Sequence, residues 1–322
     1  MNVLIAGGTG FVGRHLATEL LARGHDVAIM SRRPDTRRPA PQRVTPQQAA
    51  GEVVLASPEA GWTRGDVSDP ASLTVPLEHI DVAYYLVHSL DRPDFVVHDR
   101  HAAHTFAKAA SAAGVQRIVY MGALGDDADQ LSPHLQSRRE VEQILAEHVP
   151  TTTLRAGIVV GDGGTSWEIL CQLVERLPIM VTPKWVQTIT QPVALADVVS
   201  LLAKVIELRI DGSEHFDIGA PESLSYEKML RVVAEEMRRS LFILPVPLLS
   251  PSLSSHWLRL ITDVDLQTAR SLVDSMTNEV IVTERRLEQL TGHRPMTYRT
   301  AARQALIDRR RRKASAVAGD AA

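Results

Sequence analysis

Residues 2–13 read NVLIAGGTGFVG, and no other stretch of the chain restricts its fold as strongly. A short apolar run leads directly into Gly7, Gly10 and Gly13, and the helical pattern FVGRHLATELLAR (11–23) follows without a break. Strand, GxxGxxG and helix in that order form the context in which a glycine motif is specific. Gly7 permits a tight turn, Gly10 lets backbone approach a pyrophosphate, and Gly13 allows the helix to pack closely on the strand. Thr9, Phe11 and Val12 complete the loop, and the helix N-terminus faces the phosphate charge. The bland alternative is a glycine-rich structural turn. The motif's place at the start of a strand–helix–strand unit favours a dinucleotide site.

The next strand, DVAIM (26–30), runs into Ser31, Arg32 and Arg33. A site that prefers NAD(H) places a carboxylate here for the ribose 2′-hydroxyl. This chain has two guanidiniums instead, whose planar forks suit a 2′-phosphate. The expected cofactor is therefore NADP(H), preferred over NAD(H), unless the arginines are only a solvated pair. Asp66 and Val67, in GDVSDP after WTRGD, are placed to meet the adenine, with Asp69 before Pro70 the better helix cap. Leu86 and Val87, at the end of DVAYYLV (81–87), fall beside the cofactor.

Alternation continues with an Ala-rich helix at about 94–113, QRIVYM (116–121), a helix after Ser132-Pro133, and TTTLRAG (151–157). Such alternation implies a parallel sheet covered on both faces, an α/β, Rossmann-type doubly wound fold. The expected organisation is a dinucleotide-binding domain over 1–160, with a mobile insertion at about 33–60 rich in Pro, Arg and Gln. Residues 161–305 then complete the sheet and form a smaller, discontinuous substrate lobe. Helices are expected at 165–177, 190–208 and 225–239, and a strand at 215–219. The basic run DRRRRK opens a tail, 306–322, expected to be disordered and solvated.

Of the 322 residues, 44% are hydrophobic and 23% charged, and the net charge is −3, so a broad nucleic-acid surface is not expected. Cys171 is the single cysteine, which excludes an intrachain disulfide and a multi-cysteine zinc site. No signal peptide or membrane-spanning run is evident, and a cytoplasmic protein is expected.

TGFVG, GDVSDP, YYLVHS, RIVYMGALG, LRAGIVVG, QPVALADVV and FDIGAPESLSYEKML occur here in the order of the short-chain dehydrogenase/reductase superfamily. Over roughly 1–305 the chain resembles the atypical extended branch, and looks most like its YbjT-like, NmrA-like NAD(P)H-binding subgroup. That resemblance implies a Rossmann fold and a nicotinamide cofactor. It does not fix the substrate, because the superfamily hosts reductases, epimerases and non-catalytic sensors. It also exposes departures. The family's catalytic Tyr and Lys fall at His134 and Arg138, and its Ser falls at about Gly122-Ala123.

His134, Arg138 and Glu142 are spaced four apart in LSPHLQSRREVE (131–142), so one helix face carries all three. His134 could donate a proton, Arg138 could hold the ribose hydroxyls, and Glu142 could fix Arg138 as an i,i+4 partner. The alternative is a polar helix wall. His88, with Ser89 at the end of strand four, is a second candidate donor and pocket residue. At most one of Tyr84 and Tyr85 is expected to reach a pocket. Arg155 could orient a carbonyl or form a structural ion pair, and Trp167, Trp185 and Trp257 could wall the pocket. His98, His101 and His104 lack metal-site spacing, and no metal is expected. Two readings follow. One is an oxidoreductase that passes hydride between NADPH and a small carbonyl, enone or quinone-like molecule, expected to be apolar. The other is a non-catalytic NAD(P)H-binding sensor or assembly factor with a protein partner.

Overall fold

Along Asn2–Ala6 (β1) alternate residues are buried on opposite faces of one sheet. Val3 and Ile5 pack with Leu16, Leu20, Val198 and Leu202, while Leu4 and Ala6 pack with Ala103, Phe106, Ala107 and Ile144. Past the exposed Asn2, this strand is apolar and buried on both faces, the signature of a sheet with no solvent face. The computed structural model describes residues 1–33, 61–126, 130–245, 262–263 and 266–320. Within them β1, β2 (Asp26–Ser31), β3 (Gly61–Arg64), β4 (Val82–Tyr85), β5 (Arg117–Ala123) and β6 (Thr151–Ala156) join a later strand in one sheet. Four short strands precede that later one: β7 (Val159–Val160), β8 (Ile179–Thr182), β9 (Ile189–Thr190) and β10 (Val193–Ala194). The seventh member of the sheet is β11 (Glu214–Ile218). All pairings in the sheet are parallel, in the order β11-β6-β5-β4-β1-β2-β3. This is the Rossmann-type α/β arrangement, and the strand order reverses between β1 and β4.

Helices α1 (Phe11–Ala22) and α6 (Leu195–Val205) cover one face, and α2 (Pro70–Leu77), α3 (Phe95–Ala112) and α4 (Pro133–His148) the other. The Asp69 carboxylate caps α2 by accepting from the Ala71 amide, ahead of Pro70. Ser132 caps α4, accepting from the Leu135 amide, again ahead of a proline. A second core joins α5 (Thr165–Arg176), α7 (Tyr226–Glu236) and the C-terminal helix around Trp167, Met229, Val233 and Tyr298. The short strands β12 (Leu224–Ser225) and β13 (Phe242–Pro245) pair with β9 and β8. Helices α8 (Leu266–Ser275), α9 (Arg286–Thr291) and α10 (Tyr298–Asp320) complete the described chain.

Several expectations require correction. The helix expected from 190 starts at Leu195, because Thr190 and Val193–Ala194 pair as short strands first. The basic run after 306 is not a disordered tail: α10 extends to Asp320. Ala and Arg favour helix, and the run is anchored from within. Arg309 is buried, donating to Glu168 at 2.8 Å and binding Glu175, while Arg312 reaches Asp162 at 2.7 Å. Charges that seemed solvated in one dimension have carboxylate partners on α5 and the turn before it. Of the insertion expected at 33–60, residues 34–60 lie outside the described residues.

Candidate functional site

The carboxyl ends of β1 and β4 diverge at the switch point, and a cavity of about 490 Å³ opens there. Gly7, Gly10, Phe11, Val12 and Gly13 form one end. The tight loop has a direct steric cause. Gly7 holds φ +89°, and a Cβ on it would lie 2.7 Å from the Leu86 carbonyl oxygen. A Cβ on Gly13 would collide with the Gly7 carbonyl and come within 2.7 Å of Gly8 Cα. Gly10 differs: its φ is −75°, and a Cβ there would meet only the Gly7 oxygen at 3.1 Å, with open space beyond. No side chain caps α1. An uncapped helix N-terminus above a space that a methyl would fill is suited to a pyrophosphate. The residues present therefore fit a dinucleotide.

The other sequence-predicted cofactor residues surround this cradle without all lining it. Leu86 lines the cavity, whereas Val87 packs into the core under α2 and α3. Thr9, Arg32 and Arg33 are exposed, and Ser31 accepts from the Arg33 amide at 3.2 Å. Among the described residues neither arginine has a carboxylate partner. Asp66 accepts from the Ser68 amide at 2.9 Å, and Val67 is a buried core residue rather than an open platform.

His88, His134 and Arg138 line the same cavity. Ser275, from the end of α8, supplies what the sequence did not reveal. Its hydroxyl donates to the Ser271 carbonyl at 2.8 Å and lies 2.8 Å from His134 Nδ1. Because the hydroxyl hydrogen is committed to that carbonyl, the serine oxygen accepts from Nδ1–H. His134 Nε2 is then an acceptor, and Arg138 Nε points at it from 3.5 Å. This tautomer aims no imidazole N–H at the cavity from Nε2.

Both imidazoles are held neutral. Burial, followed by the charges of Arg138 and His88, pushes His134 down to about 3. Enclosure by the surrounding chain, then Arg138, pushes His88 down to about 3 as well, although its ring has an accessible face on the cavity. Neither is an imidazolium at neutral pH. Tyr226, the phenol in the lining, is raised by burial and stays protonated.

Glu142 does not pair with Arg138. It holds Arg155 with two bonds, at 2.8 and 3.1 Å, and Arg139 at 3.3 Å. The i,i+4 expectation fails because β6 presents a buried guanidinium to the same carboxylate. Arg155 is accordingly a structural ion pair. Tyr84 and Tyr85 are both core residues, as is Trp167. The side chain of Trp185, and Trp257 entirely, lie outside the described residues. No group of three or more His, Cys, Asp or Glu is placed to hold a metal among the described residues.

Much of the remaining wall comes from distant chain: Leu90, Leu124, Ile158, Leu272, Met276 and Val280. Sequence reading missed α8 as a wall element, since only folding brings residues 268–280 onto α4. No helix of the described residues is long and apolar enough to cross a membrane.

A parallel sheet with a glycine cradle at its switch point defines a nucleotide-binding Rossmann protein. A family model described as NAD(P)H-binding matches residues 7–169, just over half of the chain. The chain belongs to that NAD(P)H-binding family. It is 34% identical over 74 residues to UDP-glucose 4-epimerase of Klebsiella pneumoniae, a match covering 23% of this chain and 48% of that relative. It spans about half the length of that protein. Among solved structures, Citrobacter sp. triphenylmethane reductase complexed with NADP(H) superposes with TM-score 0.70 at 16% identity, covering 95% of this chain and 100% of that one. The Bordetella bronchiseptica enzyme WbmH in complex with NAD+ gives TM-score 0.66 at 14% identity, covering 95% and 97%. At such identities the two structures establish the shared fold.

Proposed function

We propose that this protein is an NADP(H)-dependent oxidoreductase that transfers hydride to a small carbonyl, enone or quinone-like acceptor. One observation carries the reading: the glycine cradle and an apolar chamber are parts of one continuous cavity. A sensor needs the cradle alone. A chamber walled by Leu90, Leu272 and Met276 suits a second, apolar molecule beside the cofactor. Bound there, the nicotinamide supplies hydride chemistry. The chain's own groups do the remainder. Gly10 and the α1 N-terminus hold the pyrophosphate, Arg138 meets the ribose hydroxyls, and the apolar wall excludes water from the reacting face. His134, neutral and with Nε2 directed at Arg138, orients that guanidinium rather than delivering a proton.

NADP(H) selectivity is assigned to Arg32. Arg32→Ala is expected to weaken NADPH about tenfold, the worth of one charge-assisted hydrogen bond of about 1.5 kcal/mol, and to leave NADH affinity unchanged. Calorimetric titration of both cofactors against both proteins checks it. Equal weakening would remove the 2′-phosphate assignment.

The activity itself is tested by NADPH oxidation, followed by absorbance, against a panel of quinones, enones and aldehydes. Turnover with a member of the panel is the expected result. Binding of NADPH without turnover on any member would favour the sensor reading, which the loss of the Ser, Tyr and Lys groups together supports.

A further inference from the structure

Beyond the cradle, the described residues that line the cavity include one cation, Arg138, and few groups that could neutralise it. The Arg138 guanidinium reaches the neutral His134 Nε2, and the buried Tyr120 hydroxyl donates to the Arg138 main-chain carbonyl at 3.4 Å. The guanidinium forms no ion pair among the described residues. The nearby carboxyls are committed elsewhere or stand apart. Asp99 on α3 accepts from the side chain and the backbone amide of Ser89 and feels the Arg138 charge, but makes no ion pair with it. Glu142 is held by Arg155 and Arg139. Asp91, on the loop after β4, is the one carboxylate among the described lining residues, exposed and outside ion-pair distance of Arg138. The other groups facing Arg138 are His88 and the buried Tyr85. The cavity that holds this charge is lined mainly by apolar side chains, among them Leu90, Met121, Leu124, Leu272, Met276 and Val280, with the hydroxyls of Thr165, Ser166, Thr268 and Ser275. A guanidinium stays charged at any physiological pH, and its attraction for an anion strengthens as water is excluded.

We propose that the apolar end of this cavity is an oxyanion site, built to bind a planar conjugated molecule in its phenolate- or enolate-like form, with Arg138 taking the negative charge. The proposal rests on the oxidoreductase reading for its chemistry and deepens it. When hydride adds to a conjugated carbonyl, the donor C–H bond of the dihydronicotinamide breaks, a C–H bond (or, in a quinone, an O–H bond) forms on the acceptor, and the acceptor's π bond opens with its electrons coming to rest on oxygen. The acceptor is reduced by two electrons and the nicotinamide donor is oxidised by two. An ordinary ketone would need a proton at that moment, and Gly122 and Ala123 offer no hydroxyl where the family's serine would stand. A conjugated acceptor needs none, because its product anion is already stabilised by delocalisation and Arg138 pairs with it. Water then protonates the product as it leaves. Quinones and enones should therefore turn over, and isolated ketones and aliphatic aldehydes should not.

The test does not depend on turnover. 4-Nitrophenol absorbs in the visible only when ionised, so the protonation state of the bound probe is read directly. The full-length protein, with and without saturating NADP+, is titrated with the probe across pH. The ionisation midpoint of bound probe is expected to fall by about one unit, a tenfold preference for the anion. Arg138→Gln is expected to abolish the fall, and Arg138→Lys to retain part of it. An unchanged or raised midpoint in the wild-type protein would overturn the proposal, as would a fall that persists in Arg138→Gln. Calorimetry of NADP+ in the same samples separates the two levels. Failure to bind NADP+ would remove the oxidoreductase reading, and the cofactor-free titration would still decide the oxyanion site.

Discussion

Gly10→Ala is expected to leave the protein folded and to lower dinucleotide affinity about a hundredfold. The two halves of that expectation have separate causes. At Gly10 the backbone φ is −75°, which alanine adopts freely, and the added methyl would meet only the Gly7 carbonyl oxygen at 3.1 Å. Nothing in the fold needs to move by more than a few tenths of an ångström. The methyl does occupy the space through which a pyrophosphate must approach the amides of α1. Losing two charge-assisted hydrogen bonds at about 1.5 kcal/mol each gives the hundredfold figure. Gly13→Ala makes the contrast, because there the collision is with the backbone of Gly7 and Gly8. That variant should lose binding and stability together. Titration of NADPH, with thermal melts of both variants, distinguishes the two. A Gly10→Ala protein that binds normally would mean that the pyrophosphate does not pass over this glycine.

The contrast also explains what a sequence can express. A glycine spacing is a local constraint, so the cradle at 7–13 could be read from one short stretch, and the alternation of apolar runs with helices exposed the parallel sheet around it. His134 and Arg138 were visible for the same reason, since four-residue spacing is a property of one helix. Ser275 was not visible. It lies far along the chain from His134, and only the packing of α8 on α4 makes its hydroxyl the partner of Nδ1. With that hydroxyl in place the meaning of His134 changes, from a proton donor at near-neutral pH to a neutral ring that accepts from Arg138. The basic run at 309–313 misled in a related way. A run of like charges reads as solvated until the carboxylates of Glu168, Glu175 and Asp162 are brought to it.

The pairing of Glu142 leads to the second large effect. From spacing alone, Glu142 would orient Arg138, and removing it would impair the site while leaving the fold nearly untouched. The structure assigns the carboxylate to Arg155 instead, through two bonds, with side chains only 10% and 14% exposed. Removing one partner of such a pair leaves a buried cation without compensation, at about 3–5 kcal/mol. Glu142→Ala is therefore expected to destabilise the protein by that amount and to lower its melting temperature by about 5–10 °C. The double variant Glu142→Ala, Arg155→Met should recover much of the loss, because the stranded charge goes with the arginine. Denaturant unfolding of the wild-type, single and double variants measures both terms. A Glu142→Ala protein as stable as wild type, yet impaired in cofactor binding, would restore the reading in which Glu142 serves Arg138. The predicted order of stabilities, wild type above the double variant and the double variant above the single, follows only if the carboxylate's work is done beneath the cavity floor, where β6 leaves Ala156 and Gly157 in the wall.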